Sequence, residues 1–205
     1  MNEVSNPVKQ TADPLHRGDA QDAAPSFEPL MSNVMPLDFL VRAASPADAQ
    51  NLAALATQVF LHTYATAGIS GAISGHVIGT FTPARFSALI ADPMATVWVA
   101  ELHAHLIGFA VLIPDTPCPD EPRSTAELTT LYVQEHFIGK GVGSALLARA
   151  TAFAAAQTGA PLWLTVNAAN APAIAFYARL GLRQIGVAWF QIGDAKHENL
   201  VLIGA

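Results

Sequence analysis

Residues 135–147 read EHFIGKGVGSALL, with glycine at 139, 141 and 143 between an apolar run and a run of helix formers. Such spacing is poorly tolerated inside a helix or strand, where each glycine costs roughly 0.5–1 kcal/mol relative to alanine. The run therefore marks a junction. Ahead of it, AELTTLYV has the β-branched and aromatic composition of a strand. Behind it, helix formers extend from Gly141 to about Gln157, and Gly159 closes the helix. A strand, a bare loop and a helix in succession turn backbone N–H groups toward a helix N-terminus, whose partial positive charge favours an anion. Two familiar phosphate loops do not fit. A P-loop sets Gly-Lys directly before Ser or Thr, whereas Lys140 precedes Gly141, and a dinucleotide fingerprint is G-x-G-x-x-G rather than G-x-G-x-G. On the glycines alone, a phosphorylated ligand and a tightly packed turn are equally open.

Caps and turns set the order of the other elements. LDFLVRAAS reads as a short strand. Ser45, Pro46 and Asp48 then supply an N-cap, a first-turn proline and an acidic third position for a helix to about Tyr64. AGISGAISGHVIGTF reads as a glycine-rich connection, and Thr82-Pro83 begin a second helix ending near Asp92-Pro93. ATVWVAEL and HLIGFAVLI form a hairpin about His103-Ala104. Beyond the glycine loop and its helix come a strand PLWLTVN, a helix capped by Asn170 with Pro172 in its first turn, and strands RQIGVAWFQI and ENLVLIG. The order βααβββαβαββ is that of an α+β domain.

Residues 1–37 are polar and broken by Pro7, Pro14, Pro25 and Pro29, with no apolar face to bury. A disordered extension is expected there, followed by one folded domain over 38–205; Met31 and Met35 are alternative starts. The first residues lack the basic start and continuous apolar segment of a secretory signal. Charged residues make up 13% of the chain, which suggests a well-buried core and an apolar surface suited to a homodimer. The net charge of -6, with only three lysines, leaves no phosphate-neutralising surface for nucleic acid. No apolar run approaches the roughly 18 residues of a membrane span. A lone Cys118 excludes an intramolecular disulfide and cysteine-built metal clusters, which fits a reducing cytoplasm. His103 and His105 alternate in a turn without a third ligand, so no metal is expected.

LYVQEHFIGKGVGSALL followed by LWLTVNAANAPAIAFYARLGLRQIG resembles the two signature segments of the GNAT acetyltransferases, and the likeness runs from LVRAASPADAQNLAAL to the end. The resemblance implies a three-layer α/β/α fold, the acyl-CoA N-acyltransferase fold, with a mixed and mostly antiparallel sheet of about seven strands. It also implies acetyl-CoA as cosubstrate. The backbone of Leu131, Tyr132 and Val133 would pair with the pantetheine arm, and Ile138, Gly139, Lys140, Gly141, Val142, Gly143 and Ser144 would hold the pyrophosphate. Asn170 and Tyr177 match the second signature, and the resemblance places Asn170 among the cofactor-binding residues. Ile138 stands where the family usually has Gln or Arg, which removes a side chain from the phosphate loop and leaves its backbone donors.

By the same resemblance, Tyr177 would protonate the departing thiolate, a phenol with reference pKa near 10 serving a thiol of about 8.5. Main-chain N–H groups around Leu131 to Val133 would receive the oxyanion. Glu127, placed by a period of two on one strand face with Thr129, Leu131 and Val133, is the candidate proton relay from the amine. Thr129 stands where relatives often carry a second carboxylate. His62, Tyr64 and His76 fall in the wall that the resemblance assigns to the acceptor. FLHTYA, FTPARFSALI and WFQIGDAKHENLVLIGA resemble the spermidine and spermine acetyltransferase branch, in which a Gly-Asp precedes the last strand. A polyamine needs carboxylates, yet residues 49–91 contain none, leaving Asp115, Asp120, Glu121, Asp194 and Glu198 to compensate. A polyamine, another small amine, a protein N-terminus or lysine, and an antibiotic all remain as acceptors. A non-catalytic acyl-CoA sensor is the alternative class.

Overall fold

The computed structural model describes residues 37–192 and 195–204. The expected N-terminal extension lies, except for Leu37, outside the described residues, as does the Gly193-Asp194 pair. The elements are β1 (Leu40–Ala43), α1 (Ala49–Tyr64), α2 (Gly71–Thr80), α3 (Pro83–Ala91), β2 (Thr96–Leu102), β3 (His105–Ile113) and β4 (Glu127–Val133). They continue with α4 (Val142–Thr158), β5 (Trp163–Asn167), α5 (Ala171–Arg179), β6 (Arg183–Ile192) and β7 (Ala195–Ile203). The strands make one seven-stranded sheet in the order β1-β2-β3-β4-β5-β7-β6. Every neighbouring pair is antiparallel except β4 and β5. The expected fold is therefore present.

Helices cover both sheet faces, so the central strands are apolar in succession rather than alternately. Along β2, Trp98 and Ala100 enter a core with Leu146, Ala150 and Ala154 of α4, while Val97 and Val99 enter a second core with Leu52 and Ala56 of α1 and Phe86 of α3. A third cluster holds Cys118, Trp163, Val201 and Ile203. There the β3–β4 connection folds back onto the sheet: Trp163 Nε1 donates to Thr116 O at 2.8 Å, and Ser124 Oγ donates to Pro161 O. Cys118 is buried in consequence.

The start of α1 carries its own electrostatic clip. A 3-10 turn over Pro46–Asp48 precedes the helix, and Asp48 Oδ2 accepts from Ser45 N at 2.7 Å. Arg42 of β1 donates to both oxygens of Asp48, at 2.8 and 2.9 Å, and through Nε to Glu101 of β2 at 2.8 Å. This guanidinium holds the buried Asp48 carboxyl down at about 2.

Two expectations change. The segment read as a glycine-rich connection contains α2, started by Ser70, whose side chain accepts from Ile73 N at 3.2 Å. Local glycine content argued against this helix, but buried Val77 and the stacking of His76 on Phe60 hold it against α1. In β4 the alternation is interrupted: Leu128 pairs with Leu112 and Thr130 with Val111, leaving Thr129 as an extra residue. Leu128, not Glu127, thus joins Leu131 and Val133 on the α4 face. A strict period of two fails here because the bulge resets the pleat.

Candidate functional site

The parallel neighbours β4 and β5 meet only at their first residues. Trp163 N donates to Ala126 O at 2.9 Å and Glu127 pairs with Trp163, after which the strands part. The rest of β4 keeps its ladder to β3 as far as Val133 and Gly108. Gln134 N donates across to Ile107 O at 2.9 Å, on the β3 side. Because successive residues of a strand aim their N–H groups to opposite sides, those of Val133 and Leu131 face the opening. That edge can accept an extended chain as an added strand.

The opening leads into the glycine loop. Gly139 and Gly141 have φ of +77° and +86°, the left-handed region, and a β-carbon added at either would meet no heavy atom within 4 Å. The first backbone bond of α4 runs from Ala145 N to Gly141 O at 3.0 Å. Among the described residues, the N–H groups of Gly139, Gly141, Val142, Gly143 and Ser144 are left without a backbone acceptor. No acidic residue occupies the first turn of α4, and Lys140 Nζ lies 5.4 Å from the Phe137 ring centre. Free donors, a helix N-terminus and open space beside the backbone suit a pyrophosphate. Ile138, which cannot contribute a polar side chain, is 63% exposed.

Gly143 differs. A β-carbon there would come within 3.2 Å of Phe176 Cζ, so this glycine admits α5 close against α4. Open space at Gly139 and Gly141 and tight packing at Gly143 thus occur in one run. The ring of Phe176 in turn contacts that of Tyr177 edge-on, with centres 5.1 Å apart. Asn170 caps α5, its Oδ1 accepting from Ala173 N at 3.2 Å.

Tyr177 is buried at 8% exposure. Among the described residues no hydrogen bond engages its hydroxyl, yet no buried side-chain oxygen lacks a partner, so the hydroxyl reaches open space. Burial, and then the charge of Tyr64, push its phenol well above the ordinary value. Burial does the same to Tyr132, reinforced by Tyr64 and Tyr177. Tyr64 ends α1 and Tyr177 lies on α5, and the phenols of Tyr64, Tyr132 and Tyr177 are near enough for the charge of one to bear on another. Burial also raises the carboxyl of half-buried Glu127.

Tyr64 and His76 belong to one aromatic wall with Phe60, Phe81 and Tyr132. His62 does not join it; its Nδ1 stands 3.3 Å from Glu135 Oε2 in an exposed pair. Sequence reading missed Phe60 and Phe81, although the Phe60 and Tyr64 spacing of four on a helix was a usable signal. Two shallow clefts of about 270 and 260 Å³ flank the β2–β3 turn and share His105 and Gln134; neither involves Tyr177, Asn170 or the glycines. Among the described residues no group of three or more His, Cys, Asp and Glu side chains converges as a metal site, and no helix is long and apolar enough to cross a membrane.

Residues 59–182 match the acetyltransferase (GNAT) family, a span that includes the glycine loop, the opened strand pair and Tyr177. The chain belongs to this family. An uncharacterized N-acetyltransferase of Mycobacterium tuberculosis is 32% identical over 152 residues, covering 74% of this chain and 93% of the relative. An uncharacterized N-acetyltransferase of Methanocaldococcus jannaschii is 31% identical over 42% of this chain and 38% of the relative. Among solved structures, PaiA N-acetyltransferase of Thermoplasma acidophilum in complex with coenzyme A shares the GNAT fold at a TM-score of 0.66 and 20% identity, over 82% of this chain and 98% of that one. A GNAT acetyltransferase of Streptococcus pneumoniae does so at 0.61 and 21%, over 82% and 100%.

Proposed function

We propose that the protein is an acetyl-CoA-dependent N-acetyltransferase in which a primary amine attacks the thioester directly, in a ternary complex. The observation that carries this reading is the continuity of the β4–β5 opening with the free N–H groups of Gly139 and of Gly141 to Ser144. A thioester arm laid along β4 would extend into a pyrophosphate held at the α4 N-terminus, and the Thermoplasma relative solved with coenzyme A supports the same cosubstrate. Acetyl-CoA supplies the activated acyl group.

The amine must reach the carbonyl uncharged, and Glu127, its carboxyl raised by burial, is a stronger base than an exposed carboxylate. The N–H groups of Leu131 and Val133 stabilise the oxyanion. As the amine nitrogen bonds the acetyl carbon and the carbon–sulfur bond breaks, one amine proton leaves through Glu127 or water to solvent. The Tyr177 hydroxyl proton passes to the sulfur, and the phenol recovers a proton from solvent. Leu131, Tyr132 and Val133 are assigned to the pantetheine arm, Ile138 to Ser144 to the pyrophosphate, and Asn170 to the shape of the loop before α5. Tyr64 and His76 are assigned to the acceptor side, with a polyamine, by resemblance of the terminal segments, among the acceptors to be tested.

Acetyl-CoA is expected to raise the melting temperature, because a ligand that binds only the native state must do so, whereas NAD and ATP at equal concentration do not. Release of free thiol, dependent on an added amine, then checks transfer. Absence of any shift at millimolar acetyl-CoA would remove the reading. A shift without amine-dependent thiol release would leave a binding protein.

A further inference from the structure

Rings from α1, α2, the α2–α3 junction and β4 form a connected wall on one side of the opening. Phe60 lies 4.7 Å from Tyr64 and 4.7 Å from His76, with which it stacks, and 5.5 Å from Phe81. Phe81 continues to Tyr132 at 6.5 Å, and Tyr132 to Phe109 at 5.5 Å. Phe60 and Phe109 are buried behind, whereas His76, Phe81 and Tyr132 are half-buried and Tyr64 is 38% exposed. Tyr64 and Tyr132 make no hydrogen bond through their hydroxyls among the described residues, yet no buried side-chain oxygen there lacks a partner. The hydroxyl of half-buried Tyr132 therefore reaches open space, and Tyr64 reaches it through its own exposure.

The charge around this wall is sparse. Residues 49–84 contain no Asp, Glu, Lys or Arg, and α2 and the segments flanking it carry only His76 as a nitrogen base. Glu135, on the loop after β4, stands 3.3 Å from His62 of α1. Glu127 stands on the opposite strand face from Leu128, the face that also bears Tyr132. Among the described residues, Glu127 is the carboxylate on the strand face that bears Tyr132, and a single carboxylate beside an aromatic wall can meet one ammonium group, assisted by ring faces. A polycation would leave its remaining charges without partners.

Resting on the acetyltransferase reading, we propose that the acceptor is a primary amine carried on a flat, aromatic-sized apolar body with a single positive charge. Its ring seats against Tyr64, His76, Phe81 and Tyr132, and its nitrogen extends to the β4–β5 opening beside Glu127. The class is that of the arylalkylamines. The linear polyamines are the class this wall disfavours.

The test compares kcat/KM for 2-phenylethylamine, hexylamine and spermidine at saturating acetyl-CoA. The aryl amine is expected to exceed spermidine by about 10-fold or more, a margin within reach of an apolar pocket. Tyr64→Ala should lower kcat/KM for 2-phenylethylamine about 10-fold and erase its advantage over hexylamine, with the KM for acetyl-CoA unchanged. Phe81→Leu repeats the comparison with ring loss at an independent position. Spermidine turned over as well as or better than the aryl amine overturns the proposal, as do variants that slow all three amines equally. An intact acetyl-CoA melting shift with no amine acetylated sinks the acceptor class alone. Loss of the shift itself sinks the acetyltransferase reading and this inference with it.

Discussion

On the α4–α5 side of the opening the free polar groups belong mainly to the main chain: the N–H donors of Gly139, of Gly141 to Ser144, and of Leu131 and Val133. On the α1–α3 side they are side chains, brought from α1, α2 and β4 to form one aromatic wall. If acetyl-CoA binds as proposed, the backbone cradle recognises what all acyl-CoA ligands share, a phosphate and an amide-bearing arm. A side-chain wall changes with every substitution and sets what differs between ligands. On that proposal a general site is separate from a specific one, with Tyr177 assigned to the place where the two meet.

The largest expected effect lies at that meeting point. If Tyr177 protonates the thiolate, Tyr177→Phe keeps the acetyl-CoA melting shift, since only a hydroxyl is removed. Turnover falls by roughly 100-fold to 10,000-fold, the range of a positioned general acid. Burial raises this phenol, so it stays protonated to higher pH than an ordinary tyrosine. Activity limited by chemistry should therefore decline only above the usual phenol range, and this basic limb should be altered in the variant. At the other end, if Glu127 takes the amine proton it must be ionised, and its carboxyl, raised by burial, should place the acid limb above the ordinary carboxylate value. Stopped-flow release of thiol across pH measures both. Nearly full turnover in Tyr177→Phe would give the residue back to packing and leave the two sides joined by the opening alone.

A smaller effect should split the glycine run itself. Gly141→Val places a branched side chain at φ +86° and into the space beside the free N–H groups, so the acetyl-CoA shift should disappear. Gly143→Val pushes instead on Phe176, which a β-carbon already approaches within 3.2 Å. Overpacking of this kind costs about 1–3 kcal/mol and should displace Tyr177 with its neighbour, lowering turnover more than acetyl-CoA binding. Denaturant unfolding and ligand-induced melting shifts, measured on both variants, separate the effects. Equal loss of cosubstrate binding in the two would mean that the run acts as one unit.

The same division explains what the sequence made legible. The cradle was visible because strand, glycines and helix are consecutive, and left-handed backbone at Gly139 and Gly141 leaves a direct mark on residue choice. Caps at Ser45, Thr82 and Asn170 were equally local. The aromatic wall was only half visible: Tyr64 and His76 stood out, while Phe60 and Phe81 looked like ordinary core. Their juxtaposition depends on α2, whose glycines argued against a helix and whose stability comes from contacts with α1. The Thr129 bulge was invisible because it exists only in the register with β3, and it moved Glu127 to the other face from Leu131. The split of the glycine run required Phe176 to be seen against Gly143. Nonlocal pairing, not weak chemistry, hid the aromatic wall.

The smallest effect tests how that wall is anchored. Helix α1, which bears Phe60 and Tyr64, begins at the Arg42–Asp48–Glu101 clip, whereas α4 begins at glycines and has no acid in its first turn. Asp48 has its carboxyl lowered from 3.8 to about 2, a difference worth about 2 kcal/mol of stability at neutral pH. Because the folded value is the lower one, this contribution is complete above about 4 and is lost as the pH falls toward 2. Asp48→Asn should remove about 2 kcal/mol at pH 7 in denaturant unfolding and flatten the loss of stability between pH 4 and 2. Hydrogen exchange sharpens the comparison: at pH 3 the amides of α1 should lose protection, relative to pH 6, more than those of α4, after correction for intrinsic exchange. Equal loss in both helices would show that the clip stabilises the domain as a whole and that the two sides, though built from different groups, open together.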